Sequence, residues 1–509
     1  MEKPATHYLG NKDASSPVPG GKSDLECSVQ VESNDNGSMD SHQLTEDHRQ
    51  YLLQRHGTVN LDPMPDMTDA DPYNWPTWKK SLNLIMVAFH AMMAIFTAAA
   101  IQSAFGDIAE DLGVSVHRAS YLTSLVIAVL GAAPLLWMPL SNRYGRRPIF
   151  LLSLICSLVG NVGCAKSYSY ATMGLCRAIT GFFISPPAAI GSAVVAETFF
   201  KKDRARCMGV WAVMVTVGVP LAPLIFGFVA VRVGYRWIYW TLAITNGVQF
   251  LLYFAFGTES LYIRGNTAKV PDSLLHRFFP FKRIDMTPLR AWDFLQPLAM
   301  AARPCVMIPT AVYSMVFLLA SIFPSLEIPQ IFPGLYHLDT QQIGLQYIAM
   351  VVGSIIGDQI GGAISDRWML YRAKRTNHSV APEYRLWLSY PGLILSIVGI
   401  IVFLVQVNNA SSHWTITPLI GVAIAAVGNQ IITTVNITYA VDCYRSEAAS
   451  VGVFITFVRQ IWGFIGPFWF PEMLKSVGFL GSAGILVAMI VAVSVIPTLF
   501  LQWKGHTWR

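Results

Sequence analysis

Only a few side chains in this sequence place charge inside long apolar runs. Asp358 stands in Val351-Val-Gly-Ser-Ile-Ile-Gly-Asp358-Gln-Ile-Gly-Gly362, Arg177 in Leu175-Cys-Arg177-Ala-Ile-Thr-Gly181, and Arg459 in Phe457-Val-Arg-Gln-Ile-Trp-Gly-Phe-Ile-Gly-Pro467. His90 lies in the run that starts near Ser81. An ionisable group in such surroundings is expensive to keep and therefore marks a functional position. A carboxylate at Asp358, among small residues, would be desolvated and can exchange a proton during a working cycle. The plainer reading is a structural pair with Arg459, and that pairing is favoured here; Arg459 could otherwise bind an anionic group. For Arg177 the plainer reading is snorkelling toward an interface, and for His90 it is a hydrogen-bonded packing role, although imidazole ordinarily titrates near neutral pH.

Other chemistries lack their residues. There is no clustered nucleophile, no set of paired carboxylates and no GxxxxGK[ST] loop for ATP, so neither an enzyme nor an ATP-driven pump is expected. The seven cysteines (Cys27, Cys156, Cys164, Cys176, Cys207, Cys305, Cys443) form no CxxC pair and lie mostly in apolar runs. They read as small core residues, with no metal site, disulfide framework or cofactor indicated.

The elements that must hold these groups are membrane spans. The chain is 53% hydrophobic and 13% charged over 509 residues, with a mean hydropathy of +0.45. Soluble domains carry about 25% charged residues. Residues 1–78 hold five Lys/Arg (Lys3, Lys12, Lys22, Arg49, Arg55) against thirteen Asp/Glu, a net of −8, which leaves +14 on the remainder. This Ser-, Asp-, Asn- and Pro-rich stretch is expected to be a disordered acidic cytoplasmic tail. No apolar run precedes the first span, so that span is expected to act as the insertion signal. The net charge of +6 is spread over loops, and nucleic acid is not an expected partner.

Apolar stretches of spanning length start near Ser81, Ala119, Ile149, Ala171, Met208 and Trp237, and again near Cys305, Gln342, Leu386, Trp414, Val451 and Phe479. The expected fold is an all-α membrane protein of twelve transmembrane helices in two six-helix halves. The halves are residues 79–258 and 304–503, with a basic cytoplasmic linker at 259–303 and a short cytoplasmic C-terminus at 504–509. The linker carries Arg264, Lys269, Arg277, Lys282, Arg283 and Arg290. With both termini cytoplasmic, inside loops also hold Arg143, Arg146, Arg147, Lys201, Lys202, Arg204, Arg206, Arg367, Arg372, Lys374, Arg375, Arg385 and Arg445. Outside loops hold chiefly Arg118, Lys166, Arg232, Arg236 and Lys475. That excess of inside cations sets the orientation. Asn409-Ala-Ser411 then falls outside as a glycosylation acceptor, although a loop so close to the membrane often stays unmodified.

Between spans two and three stands Pro139-Leu-Ser-Asn-Arg-Tyr-Gly-Arg-Arg-Pro148. A tight turn at Gly145 would present Arg143, Arg146 and Arg147 at the inner mouth, where plain topological anchoring is the alternative. The fifth span contains Gly218-Val-Pro220-Leu-Ala-Pro223-Leu-Ile-Phe-Gly227, whose prolines and glycines suit a kinked, closely packed pivot or an ordinary proline kink. The sequence here resembles the major facilitator superfamily, and within it the fungal twelve-span drug:proton antiporters. The turn motif departs from the family pattern at Met138 and at Asn142, where an acid is usual. Its echo, Gly361-Gly-Ala-Ile-Ser-Asp366-Arg367, keeps the acid. Ala222 and Phe226 replace two glycines of the exporter motif in span five. The resemblance extends through Ala196-Glu197-Thr-Phe-Phe, Glu259-Ser-Leu-Tyr262, Arg283-Ile-Asp285, Glu327-Ile-Pro329 and Gly344-Leu-Gln, covering about residues 61–509.

The resemblance implies an inner gate of Asn142, Arg143, Gly145, Arg146, Arg147, Glu197, Asp366 and Arg367, with the neutral Asn142 weakening any charge-based lock there. It implies proton coupling by Arg177 and by Asp358, an acidic position of the eighth span, with Arg459 and His90 as further candidates. Polar groups inside spans should face the bundle axis. This selects Gln102, Asn246, Gln249, Tyr313, Gln359, Asn429, Asn436 and Tyr439 as cavity residues, with Trp462 as aromatic wall; interhelical hydrogen bonding or packing is the alternative for each. The function expected is proton-coupled export of small amphipathic organic compounds by alternating access across the plasma membrane. The alternatives are proton-driven uptake of a small organic solute such as a polyamine, or a transporter-like nutrient sensor. Partners are then small-molecule substrate, protons and membrane lipid, and the resemblance implies a monomer.

Overall fold

The computed structural model describes residues 45–263, 283–376, 381–411, 413–444 and 447–508. Lys3, Lys12, Lys22, Cys27, Arg264, Lys269, Arg277, Lys282 and Arg445 lie outside the described residues. Among the described residues, eleven helices are long and apolar enough to cross a membrane: α1 (Thr77–Leu112), α2 (Val116–Tyr144), α3 (Arg146–Ala165), α4 (Tyr170–Thr198), α5 (Lys201–Val233), α7 (Pro304–Tyr336), α8 (Thr340–Arg372), α9 (Pro382–Asn408), α10 (Thr417–Cys443), α11 (Ala448–Phe468) and α12 (Phe470–Trp508). Between α5 and α7 lies α6 (Arg236–Phe256), whose 21 residues include Asn246 and Gln249 in an otherwise apolar run. Among the described residues six such helices thus precede residue 264 and six follow residue 282. The last helix runs on through Trp508, so most of the short C-terminal tail expected at 504–509 is helical.

Local chemistry sets the helix starts. Ser115 accepts the Arg118 N–H at the start of α2 (3.2 Å) and Ser169 that of Thr172 at the start of α4 (3.2 Å). Asp339 and Gln342 form a reciprocal capping box at the start of α8. Ser185-Pro186-Pro187 divides α4, a π-turn over Leu318–Ile322 divides α7, and Gly478, at φ 68°, divides α12.

Because successive helices reverse direction, both ends of the described chain and the linker share one end of the bundle, the terminal end; the opposite one is the far end. Within the first half α1 packs on α5 and α3 on α6; within the second α9 and α8 both pack on α10. On α8, Gly353, Gly357 and Gly361 lie one turn apart and bring its backbone against α10; a Cβ on Gly357 would sit 2.7 Å from the Val427 carbonyl oxygen. The halves meet through α2 with α11 and α5 with α8.

The acidic tail departs from expectation. Residues 45–76 are ordered: Glu46–His56 is helical, and the strand-free segment after it is buried at Asp71, Tyr73, Asn74 and Trp75. Polar bonds hold it. Asn74 Nδ2 donates to the Asp66 (2.6 Å) and Thr68 (2.7 Å) carbonyls, and Arg55 donates to the Asn74 carbonyl (2.8 Å). Tyr73 stacks on Phe200 at 5.1 Å and its hydroxyl donates to the Ala196 carbonyl at 2.5 Å, while Tyr262 donates to Asp66 at 2.9 Å. Such a strap has no apolar period to detect. Tyr73→Phe should remove one of the two donors to the Ala196 carbonyl, leaving Arg204 at 3.2 Å, and cost about 1 kcal/mol, read as a lower thermal midpoint of full-length protein by tryptophan fluorescence.

Candidate functional site

At the terminal end the loop motif closes as its residues demand. Gly145, at φ 94° and ψ 169°, turns the chain between α2 and α3. A Cβ there would meet the Glu259 carboxylate, with Cδ only 2.8 Å away. Glu259 caps α3, accepting the N–H groups of Arg146 (2.8 Å) and Arg147 (3.0 Å). Burial raises its carboxyl above the usual range against these bonds and the Arg146 charge. Arg146 ties three helix ends together: it donates to Ser141 (2.6 Å) and Asn142 (2.7 Å) at the end of α2, and pairs with Glu197 (2.6 Å) at the end of α4. Arg147 donates to the Phe254 carbonyl (3.0 Å) at the end of α6.

The second half repeats this arrangement. Arg385, at the start of α9, donates to Ser365 (2.6 Å) and pairs with Asp366 (3.4 Å) at the end of α8 and with Asp442 (3.5 Å) at the end of α10. Ser365-Asp366 stands to Arg385 as Ser141-Asn142 stands to Arg146. Arg367 is exposed.

The expected weakness at Asn142 is made up from the linker. Arg143, its neighbour, pairs with Asp285 and, at 3.3 Å, with Asp293, and its carbonyl accepts the Ile284 N–H at 2.8 Å. Backbone and side-chain bonds from Thr287, with Arg143, hold the Asp285 carboxyl below the usual range. Neither aspartate was singled out as a gate residue in the sequence, because only tertiary folding sets the linker beside α2.

At the far end the two halves touch directly. A Cβ on Gly227 of α5 would lie 2.9 Å from the Thr340 carbonyl oxygen, and one on Gly344 of α8 would lie 2.7 Å from that of Pro223. Gly218 likewise sits against Met92 of α1, with 3.0 Å between a Cβ and the Met92 oxygen. The segment with Pro220 and Pro223 is therefore a site of close helix approach, within a helix that stays continuous. Thr340 donates to Asp107 (3.1 Å), Gln102 reaches Ser325 (3.5 Å), and the rings of Tyr121 and Phe468 lie 4.7 Å apart.

Within the spans the sequence-derived residues separate into groups. Arg177 is 1% exposed and does not snorkel: it donates to the carbonyls of Leu122 (3.1 Å) and Ala98 (3.1 Å), joining α4 to α2 and α1, with the Tyr239 ring 5.9 Å away. Arg459 is not paired with Asp358. It donates to the Tyr313 hydroxyl (3.0 Å) and lies 4.7 Å from the Phe317 ring centre, bridging α11 to α7. A π-face and a neutral acceptor engage the cation in place of a carboxylate, while its buried Nε has no partner among the described residues. Asp358 is half-buried in α8, and among the described residues no ion pair or hydrogen bond reaches it.

His90, fully buried, contacts Ser153 (3.2 Å) and packs on Phe150 and Tyr253, which is the packing role. Asn246 and Gln249 are buried within the first half, where Gln249 donates to the Met86 carbonyl (3.2 Å), so they leave the set expected on the bundle axis. Tyr439 is enclosed by Cys305, Leu386 and Leu501 at the terminal end. Asn436 donates to the Ile432 carbonyl (3.0 Å) and Asn429 to Gln430 (3.2 Å). Gln359 is exposed beside Ile355, Ile356 and Ile360, so it too departs from the cavity set, and Trp462 is half-buried against the core. Glu327 of α7 was missed as a site residue. It is 1% exposed, and its only hydrogen bond among the described residues is a long one from Gln330 (3.4 Å). The rule that singled out Asp358, an acid inside an apolar span, would have found it.

The family model of the Major Facilitator Superfamily matches residues 87–467. The chain belongs to that superfamily. It is a multi-pass membrane transporter, not an enzyme. Efflux pump radE of Floropilus chiversii is 26% identical over 88% of this chain and 86% of the pump. The Cycloheximide resistance protein of Candida maltosa is 26% identical over 78% of this chain and 74% of that protein. A bacterial homologue of the human lysosomal transporter Spinster, solved inward-facing and unoccupied, shares the fold at a TM-score of 0.57 and 15% identity, over 85% of this chain and 98% of that one. The superfamily fold explains the doubled arginine clamp, one in each half.

Two substitutions examine the terminal end. Gly145→Ala should cost about 2–3 kcal/mol, because the φ/ψ pair is open essentially to glycine alone and the added methyl meets Glu259; folded yield in size-exclusion chromatography should fall sharply. Asp285→Asn with Asp293→Asn should speed amide exchange at Ile284 about fivefold or more, since two charge-assisted bonds that pin the linker are lost.

Proposed function

We propose that this transporter exports small amphipathic organic compounds in exchange for protons, by alternating access across the plasma membrane. The observation that carries the coupling is Asp358, a carboxylate midway along α8 with no cation or donor upon it among the described residues. Such a group is free to take up and release a proton as its surroundings change. Glu327, buried in α7 without a cation, is a second such group. Arg459, held by Tyr313 and Phe317, is a fixed positive charge within the spans of the second half.

Relatives named as efflux pumps and as a cycloheximide resistance protein support the outward direction. The cations at the terminal end, among them Arg143, Arg146, Arg147 and Arg385, support a cytoplasmic placement of that end. The far-end contacts then lie on the exterior side, where the exposed Asn409 at the end of α9 is available for a glycan.

The test uses vesicles of reconstituted wild type, Asp358→Asn and Glu327→Gln under an imposed proton gradient, with labelled cycloheximide and labelled spermidine as probes. Accumulation of cycloheximide against the proton flux, reduced at least about tenfold in Asp358→Asn, is the expected result. Spermidine flux running with the protons would instead identify an importer. Binding without gradient-driven flux in wild type would identify a sensor, and undiminished exchange in Asp358→Asn alongside a dead Glu327→Gln would move the proton to α7.

A further inference from the structure

At the terminal end the two halves dispose of their cations differently. In the first half Arg143, Arg146 and Arg147 are all taken up by acceptors of the protein itself. Arg367 holds the place in the second half that Arg143 holds in the first, directly after the clamp serine and its neighbour. Yet Arg367 is exposed, as are Lys374 and Arg375, and no ion pair reaches any of the three among the described residues. Asp366, the adjoining acid, is turned to Arg385 at 3.4 Å.

Beyond Asp366 the helix of α8 runs on to Thr376, about 15 Å further at the rise of an α-helix. Arg367, Tyr371 and Lys374 follow one another at i, i+4 and i+7, and Trp368, Arg372 and Arg375 repeat that spacing one position on. Cations and aromatic rings therefore lie in adjoining stripes of one surface. Leu370 and Tyr371 are each 62% exposed among them. The surface continues onto neighbouring helices. Arg372 lies 4.8 Å from the Tyr384 ring centre, and Trp368 donates to the Tyr384 carbonyl (3.3 Å) at the start of α9. Trp387 packs on Tyr390 at 5.8 Å, and Tyr390 donates to Gln502 (2.7 Å) of α12, next to the exposed Trp503 and Lys504.

We infer that this face of the second half binds anionic phospholipid, with headgroup phosphates taken by Arg367, Arg372, Lys374 and Arg375 and the apolar part of the lipid resting against Trp368 and Trp387. A cluster of four or more cations just past the end of a spanning helix attracts anionic headgroups, and exposed rings beside it suit the boundary between headgroup and acyl chain. Topological sorting acts on the number of cations in a loop, and calls neither for rings among them nor for their release from protein acceptors. The site requires neither a particular direction of transport nor proton coupling, because it is defined by equilibrium binding.

The test uses full-length protein in dodecylmaltoside micelles and follows the anisotropy of a fluorescent phosphatidylinositol 4,5-bisphosphate, with equally labelled phosphatidylcholine as the neutral lipid. The anionic lipid should bind at least about tenfold more tightly than the neutral one, and Arg367→Gln with Lys374→Gln and Arg375→Gln should weaken it at least about tenfold. Lys202→Gln with Arg206→Gln, which removes two exposed cations from the start of α5 at the same end, should leave the affinity within about twofold. All five replaced side chains are exposed, so the fold is kept. Equal affinity for the two lipids, an unchanged triple variant, or an equal loss in the α5 variant would each overturn the site. Competition by inositol 1,4,5-trisphosphate as strong as that by the unlabelled lipid would overturn the lipid as ligand in favour of a soluble polyphosphate.

Discussion

Each half of this protein depends on one arginine that no water can serve in its place. Arg146 and Arg385 sit where three helices end together, and each bonds its guanidinium to a serine hydroxyl, the next residue along the chain and an acid from a third helix. A planar, always-charged fork fits this task because its donors point in fixed directions. With α2, α3 and α4 fastened in one half, and α8, α9 and α10 in the other, each half has a rigid terminal face. Motion between the halves then leaves these bonds intact.

The contacts between the halves are of another kind. At the far end they are backbone against backbone at Gly227 and Gly344, one carboxylate bonded by Thr340, and a pair of aromatic rings. Apart from van der Waals contact these are few, and among the described residues none is an ion pair. Within the halves, buried cations hold helices firmly: Arg177 fastens α4 to two neighbours through carbonyl oxygens, and Arg459 fastens α11 to α7 through a phenol and a ring. Strong polar bonds therefore lie inside rigid bodies and weaker apolar ones between them.

Much of this was legible beforehand where a single physical rule dominates. Apolar runs of spanning length gave the helices, and the Gly145 turn with its flanking cations gave the terminal-end arrangement. The failures share a cause. The strap at 45–76 is held by hydrogen bonds among Arg55, Asp66, Tyr73 and Asn74, which leave no periodic trace. The Asp358–Arg459 pair was inferred from charge, yet a cation can also be held by a hydroxyl and a ring, here Tyr313 and Phe317, and only packing decides which it meets. Asn246 and Gln249 show the limit of the rule that polar groups face an axis. A polar residue in a bundle of six helices has several interior surfaces to choose among.

The sequence by itself determined the fold class, the number of helices, the division into halves and the placement of cations at one end, because bilayer thickness and backbone hydrogen bonding leave a chain of this composition little choice. It also marked Asp358, since an acid within an apolar run is rare for an energetic reason. Tertiary structure alone decided which charges are paired. It brought Asp285 and Asp293 of the linker to Arg143 beside the neutral Asn142, sent Arg459 to Tyr313, and left Asp358 and Glu327 without a cation among the described residues. Pairing depends on distances of a few ångströms between helices far apart in the chain, and no spacing along one helix encodes them.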